Sequence, residues 1–359
     1  MNSEISRQDR IKGVMYGVAL GDALGMPTEF MTRAEITEEF GRVEEFISAP
    51  PWHPLADLPP GSITDDTEQT LAIAELVKDN PDFSPKEVAE TMLDWAEKSL
   101  GFEITQDSAE KLNKMGPSTL KALASYARGE DLTRTGLTGN TNGAAIRVSP
   151  VALAYPETPP ELAQQVLNLC IPTHCTEVAV AGSCAVAHWI SRALSGASKE
   201  EAWEAAIAGV KRGKELFRNK IEIDLSNFSE QKKWMILSQR INPDLEARIS
   251  WAGEMVKNNA PDSEAERRKI YEKLLASLGT GVNMIETVPL ALALTWLARD
   301  PYEAIILGAN SGGDTDSIAS ITGGLAGSLG GMSAFPPKLI TELENCNDMD
   351  LADLAADFY

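Results

Sequence analysis

The stretch Ser311-Gly312-Gly313-Asp314-Thr315-Asp316-Ser317 sets three small residues before two carboxylates and two hydroxyls. An apolar series follows at helical spacing, Ile318, Ile321, Leu325 and Leu329. The glycines permit a tight turn or a close backbone approach. Asp314 is suited to cap the helix that begins there, with Asp316 in its first turn. Taken alone, the stretch is a well-capped helix start.

Far upstream, Gly61-Ser62-Ile63-Thr64-Asp65-Asp66-Thr67 is built the same way, and Leu71, Ala74 and Val77 then mark one face of a helix. Asp65 and Glu68 have the spacing of a capping box. Adjacent carboxylates repel unless they are solvated or neutralised. If the two helix starts face each other, four carboxylates and several hydroxyls converge. An oxygen-only set of that charge suits Mg²⁺ or Mn²⁺, and four carboxylates suit two such ions better than one.

The chain has 359 residues, 43% hydrophobic and 24% charged, with a formal net charge of −21. That acidity argues against a general surface for nucleic acid or anionic membrane. A small phosphorylated ligand stays compatible with it if cations supply local positive charge. The four cysteines, Cys170, Cys175, Cys184 and Cys346, form no C-x-x-C pair, and there are three histidines. Structural zinc is therefore not expected, and the thiols read as buried and reduced in a cytoplasmic protein. The first ten residues are polar, without the apolar core of a signal peptide, and no apolar run is long enough to span a membrane.

Along the chain, Ile11 to Leu24 reads as a helix with Gly13, Gly17 and Gly21 at every fourth position. Such glycines cost helix propensity, so close packing on another helix is the expected compensation. Asp22 and Glu29 fall near its end. Residues 31–60 read as irregular, with Val43 to Ile47 the one tempting short strand. Further helices are expected from the 61–67 cluster to about Lys78 and over Ser84–Leu100, Pro117–Arg128, Glu161–Leu169, Thr176–Leu194, from Ser198 to about Phe217, and over Glu286–Arg299. Asn142-Gly143 marks a turn, and Arg147 stands among apolar neighbours, as a snorkelling arginine or as the charged partner of a phosphate. His174 at a helix entry reads most simply as a satisfied structural histidine. Residues 218–283 are more polar and form a possible helical cap on a single domain spanning 1–359. Strand signals are nearly absent, so the expected class is all-α.

The spaced set Gly21-Asp22-Ala23-Leu24-Gly25, Glu29, Thr64-Asp65-Asp66-Thr67, Asn142-Gly143-Ala144-Ala145-Ile146-Arg147, Thr173-His174 and Gly312 to Ser317 resembles the ADP-ribosylglycohydrolase family, from about Ile11 to Gly331. The resemblance implies a compact, orthogonal multi-helix fold around a dinuclear Mg²⁺ or Mn²⁺ centre. By it, Thr64, Asp65 and Asp66 would supply one set of ligands and Asp314, Asp316 and Ser317 the other. Glu29 matches an acidic residue with a catalytic or substrate-gating role, and Asp65 and Asp316 join it as catalytic groups. Asp22, Asn142, Gly143, Arg147 and His174 would lie on the substrate side, toward ribose and phosphates. Cys175 departs from the Pro or Gly more often found after the histidine, which touches acceptor-side contacts rather than the metals. The implied reaction is hydrolysis of a glycosidic bond between an ADP-ribose-containing or ribosylated substrate and its acceptor. Two other readings stay open on sequence: a ribosyl hydrolase of a small nucleoside or related metabolite, and a non-catalytic relative, against which the four retained aspartates argue.

Overall fold

A computed structural model of the chain describes residues 5–102, 104, 116–223, 225–226, 228–238, 244–258 and 261–359. Part of the 218–283 stretch thus lies outside the described residues. The helices are Arg7–Gly25 (α1), Arg33–Phe40 (α2), Asp65–Asp79 (α3), Pro85–Leu100 (α4), Pro117–Ala127 (α5), Leu132–Thr135 (α6), Gly143–Ile146 (α7), Ser149–Ala154 (α8), Pro160–Cys170 (α9), Glu177–Leu194 (α10), Lys199–Lys220 (α11), Glu230–Ser238 (α12), Leu245–Lys257 (α13), Glu264–Leu278 (α14), Met284–Leu297 (α15), Pro301–Ala309 (α16), Thr315–Gly330 (α17), Pro337–Asn347 (α18) and Leu351–Ala356 (α19). Among the described residues there is no β-strand, only an isolated bridge between Thr141 and Asn283.

The central pair is α1 and α17, packed antiparallel. A Cβ on Gly17 would lie 2.1 Å from the Gly323 carbonyl oxygen, and one on Gly21 would lie 2.2 Å from that of Ala319. Gly13 meets Gly327 and Gly25 meets Thr315 in the same way. The glycines that weaken α1 as an isolated helix therefore let two backbones touch, and dispersion over that contact offsets the lost propensity. Both helices are buried along nearly their whole length. Next to them α10 is almost wholly buried, and its Trp189 donates from Nε1 to the Leu325 carbonyl at 3.1 Å.

Two expectations are corrected here. Val43 to Ile47 forms no strand: the Asn310 side chain takes the place of a partner strand, accepting from Val43 N–H at 2.9 Å and donating to its carbonyl at 2.8 Å. Residues 31–60 are not wholly irregular, because Thr32 and Glu35 form a full capping box that starts α2. In the stretch after α11, α13 and α14 pack on α15, and Ile249, Ala252, Val256, Ile270 and Leu274 on them are buried. No helix of the described residues is long and apolar enough to cross a membrane.

Candidate active site

The antiparallel α1–α17 contact brings the end of α1, which carries Asp22, beside the start of α17, which carries Asp314 and Asp316. A single 3₁₀ turn, Met26–Thr28, then carries Glu29 to the same place. Thr28 Oγ1 donates to the Ala309 carbonyl at 2.7 Å, and Thr315 Oγ1 to the Gly25 carbonyl at 2.8 Å. Phe30 N–H donates to the Gly313 carbonyl at 2.9 Å, and Gly313 N–H to that of Met31 at 2.8 Å. Gly312 and Gly313 need their left-handed backbone, φ +78° and +80°, to run this close to residues 31–33 and to Thr280.

The second acidic helix start is tied on by Asp22. This fully buried carboxylate accepts from Thr64 N–H at 2.9 Å, Thr64 Oγ1 at 2.8 Å, Thr67 N–H at 3.1 Å and the Thr67 hydroxyl. Thr64, not Asp65, is the N-cap of α3, accepting from Asp66 N–H at 3.3 Å. The Asp65–Glu68 capping box does not form. Glu68 instead accepts from Trp95 Nε1 at 3.0 Å, and Asp65 accepts from Gln69 Nε2 at 2.8 Å. Asp314 holds the N-cap position of α17 without a capping bond; its Oδ2 accepts from Asn142 Nδ2 at 2.6 Å.

The result is a cleft of about 320 Å³. Its acidic wall is Glu29, Thr64, Asp65, Asp66, Asp314, Asp316 and Ser317. Facing it are Gln69, Thr119, Thr141, Asn142 and Gly143, with an apolar rim of Phe30, Leu55, Pro117, Ile146 and Val282. Of the described residues of 218–283, Val282 alone lines this cleft. A larger cavity, about 510 Å³, lies between α10, α11 and α13, but its cations are spent in the Lys214–Asp244 and Arg218–Glu177 pairs.

Burial and mutual repulsion dominate the electrostatics. Burial, followed by the charges of Asp314, Asp65 and Asp22, pushes the Glu29 carboxyl up to about 9. Burial and then Asp22 push Asp65 up to about 7, and burial pushes Asp314 up to about 6. Asp66 and Asp316 are held well above the usual carboxylate range, first by burial and then by neighbouring carboxylates. Burial also raises Asp22, against the pull of its bonds from Thr67 and Thr64.

Such a cluster fits a hard cation on the structure's own terms. One ligand atom each from Glu29, Asp314 and Asp316 lies within 4.8 Å of the other two. Asp66 Oδ2 and Asp316 Oδ1 are buried without a hydrogen-bond partner. Unpaired buried carboxylate oxygens are costly, and an oxygen-coordinated divalent cation removes that cost.

Three residues expected on the substrate side sit behind the wall instead. Arg147 is fully buried: Nη1 donates to Gln69 Oε1 at 2.6 Å and Nη2 to the Thr173 hydroxyl. It neither snorkels nor reaches the cleft; it orients Gln69, which in turn holds Asp65. His174 is also fully buried, its ring nitrogens bonded to Thr141 Oγ1 at 2.9 Å and Thr173 Oγ1 at 2.8 Å. Asp22 is beneath the floor. Asn142 and Gly143 do line the cleft. Sequence reasoning missed Gln69, Thr119, Thr141 and the apolar rim. Only Gln69 carried a signal, four residues after Asp65 and so on the same helix face.

A family model described as ADP-ribosylglycohydrolase matches residues 3–359. An uncharacterized protein of Escherichia coli (strain K12) is 32% identical over 348 residues, covering 96% of this chain and 94% of its own length. The ADP-ribosylarginine hydrolase Tri1 of Pseudomonas putida (strain GB-1) is 24% identical over 342 residues, covering 93% of this chain and 74% of its own. A solved structure titled ADP-ribosylglycohydrolase-related protein complex matches with a TM-score of 0.66 at 26% identity, over 99% of this chain and 98% of that one.

Proposed function

The chain belongs to the ADP-ribosylglycohydrolase family and is a hydrolase of that class; we propose that it cleaves the bond between C1 of the terminal ribose of ADP-ribose and an acceptor, in the cleft between α3 and α17. Two divalent cations, Mg²⁺ or Mn²⁺, would be held by Thr64, Asp65 and Asp66 on one side and by Asp314, Asp316 and Ser317 on the other. Bound there, they would neutralise the cluster and act as Lewis acids toward ribose oxygens and water.

The rest is work for the chain's own side chains. Breaking the glycosidic bond develops positive charge on C1 and the ring oxygen. The carboxylates of Asp65 and Asp316, held in the cleft wall, favour that charge without rearranging. Glu29 is the acid–base group, and its carboxylate also borders the cation site beside Asp314 and Asp316. It faces Asp314 and Asp316 and retains some access to solvent, its side chain 16% exposed. As the base, it accepts the proton of the water whose oxygen bonds to C1 while the C1–acceptor bond breaks; the acceptor leaves with that electron pair and takes up a proton from solvent. Asn142, bonded to Asp314 and to Thr287 Oγ1 at 3.0 Å, fixes the opposite wall. Gly143 lets that wall close on the His174 ring, since a Cβ there would lie 2.9 Å from His174 Cε1. Arg147 has no phosphate role in this reading.

The observation that carries it is the pair of buried, partnerless oxygens on Asp66 and Asp316 in one carboxylate-lined cleft. The test is release of ADP-ribose by the Mn²⁺-loaded chain from an ADP-ribosylated arginine peptide and an ADP-ribosylated serine peptide. Asp316→Ala should abolish release from whichever is cleaved. Tighter binding of a plain nucleoside than of ADP-ribose, with neither peptide cleaved, would refute the proposal.

A further inference from the structure

His53 is not among the residues that line the cleft. It lies in the Pro-rich segment between α2 and α3, ahead of the Gly61–Thr67 motif and outside it. Its ring is buried, the side chain 0% exposed, yet Nε2 has no hydrogen-bond partner. The other nitrogen is committed: Leu55 N–H donates to Nδ1 at 3.1 Å. An imidazole whose Nδ1 accepts must carry its proton on Nε2. The ring is thus the Nε2–H tautomer, and that N–H has no acceptor. Its nearest carboxylate oxygen is Glu29 Oε2, 3.9 Å away. Phe30 and Trp52 flank the ring, with centroids at 5.7 and 5.9 Å, and limit its rotation.

A buried donor left unpaired costs about 1–3 kcal/mol, so its position calls for an acceptor. The acceptor is at hand, since turning the Glu29 side chain to close about 1 Å of the gap makes an ordinary hydrogen bond. Such bonds at active sites are often long before ligand arrives. We infer that His53 is a positioning residue: its Nε2–H holds the Glu29 carboxylate in the orientation that faces Asp314 and Asp316. Carboxylates at metal centres are commonly steered by a donor of this kind, and losing it typically costs 10–100-fold in metal affinity. The inference rests on the reading of Glu29 as a working carboxylate of a cation site.

Two substitutions separate the donor from the ring. His53→Gln keeps an N–H near the Nε2 position and loses the aromatic ring. His53→Phe keeps the ring and its packing and loses the donor. Mn²⁺ titrated calorimetrically into the full chain should bind His53→Phe about 10–100-fold more weakly than wild type, and His53→Gln within a few-fold of it. The reverse order, or equal losses in both, would assign His53 to packing and overturn the inference. Side-chain ¹⁵N NMR of the cation-free protein supplies a readout independent of the metal. The His53 Nε2–H resonance should move in Glu29→Gln, and a resonance that stays put overturns the inference. If wild type binds no divalent cation while that resonance still moves, the cation reading fails and the His53–Glu29 link stands.

Discussion

Glu29→Gln should make the cation-free protein more stable and the loaded enzyme nearly inactive. The folded carboxyl is pushed up to about 9 from an ordinary 4.5, burial being the first cause. With a raised folded pKa, the unfolded chain releases its proton first, so stability falls as pH rises from about 4.5 to about 9. At pH 7.5 the group is about three units above its unfolded value, worth about 4 kcal/mol at 1.36 kcal/mol per unit. Solvent reaches part of the side chain and screens the repulsion, so a difference of about 2 kcal/mol is expected. Glutamine preserves the shape and removes the titration. Urea unfolding in EDTA should therefore give equal stabilities for variant and wild type near pH 4.5, and a variant more stable by about 2 kcal/mol at pH 7.5. With Mn²⁺ present, the same variant should lose roughly 100-fold or more in turnover. A variant no more stable than wild type at pH 7.5 would refute the electrostatic account. Near-normal turnover would refute the role of Glu29 as base.

Divalent cation at a hundred times its Kd should stabilise the fold by about 2.7 kcal/mol, seen as a rise in Tm of several degrees, and Asp316→Ala should remove most of the rise. Gly17→Ala sets a methyl 2.1 Å from a backbone oxygen that cannot rotate away, so calorimetry should show a loss of about 3 kcal/mol or more. Arg147→Met leaves Gln69 Oε1 and the Thr173 hydroxyl without their buried donor, and should cost about 1–3 kcal/mol in urea unfolding. ADP-ribose affinity, measured by calorimetry on the same variant, should change far less than it would for a lost phosphate contact.

The acidic helix starts were legible because their chemistry is local. Two carboxylates within three residues, behind small residues and ahead of an apolar helix, pose an electrostatic problem that can be read along the chain. The glycines of α1 were legible as a demand for close packing. Their counterparts on α17 were legible only in part: Gly323 and Gly327 share the four-residue spacing and meet Gly17 and Gly13, but Ala319 and Thr315, not glycines, lie opposite Gly21 and Gly25. Arg147 illustrates the limit. Its partners are 78 and 26 residues away, and neither is acidic. Nothing near it in sequence separates a phosphate ligand from a buried brace. His53 sits in a stretch without periodicity, so its tautomer and its aim at Glu29 exist only in three dimensions.

Asp22 explains how so many carboxylates share one cleft. A carboxylate beneath a negatively charged cluster is a liability, and burial makes it worse. Yet it receives four donors from Thr64 and Thr67 and lies at the N-terminus of α3, where the helix dipole favours negative charge. Those bonds hold the start of α3 against the end of α1, and the α1–α17 glycine contact holds the start of α17 there too. The two halves of the candidate metal site are thus fixed by backbone packing and by threonine donors. Asp65, Asp66, Asp314 and Asp316 are then left with unmet charge, and two of their oxygens with no partner. A site preorganised in this way spends little of a cation's binding energy on ordering the chain, so its affinity reflects the electrostatic need of the cluster.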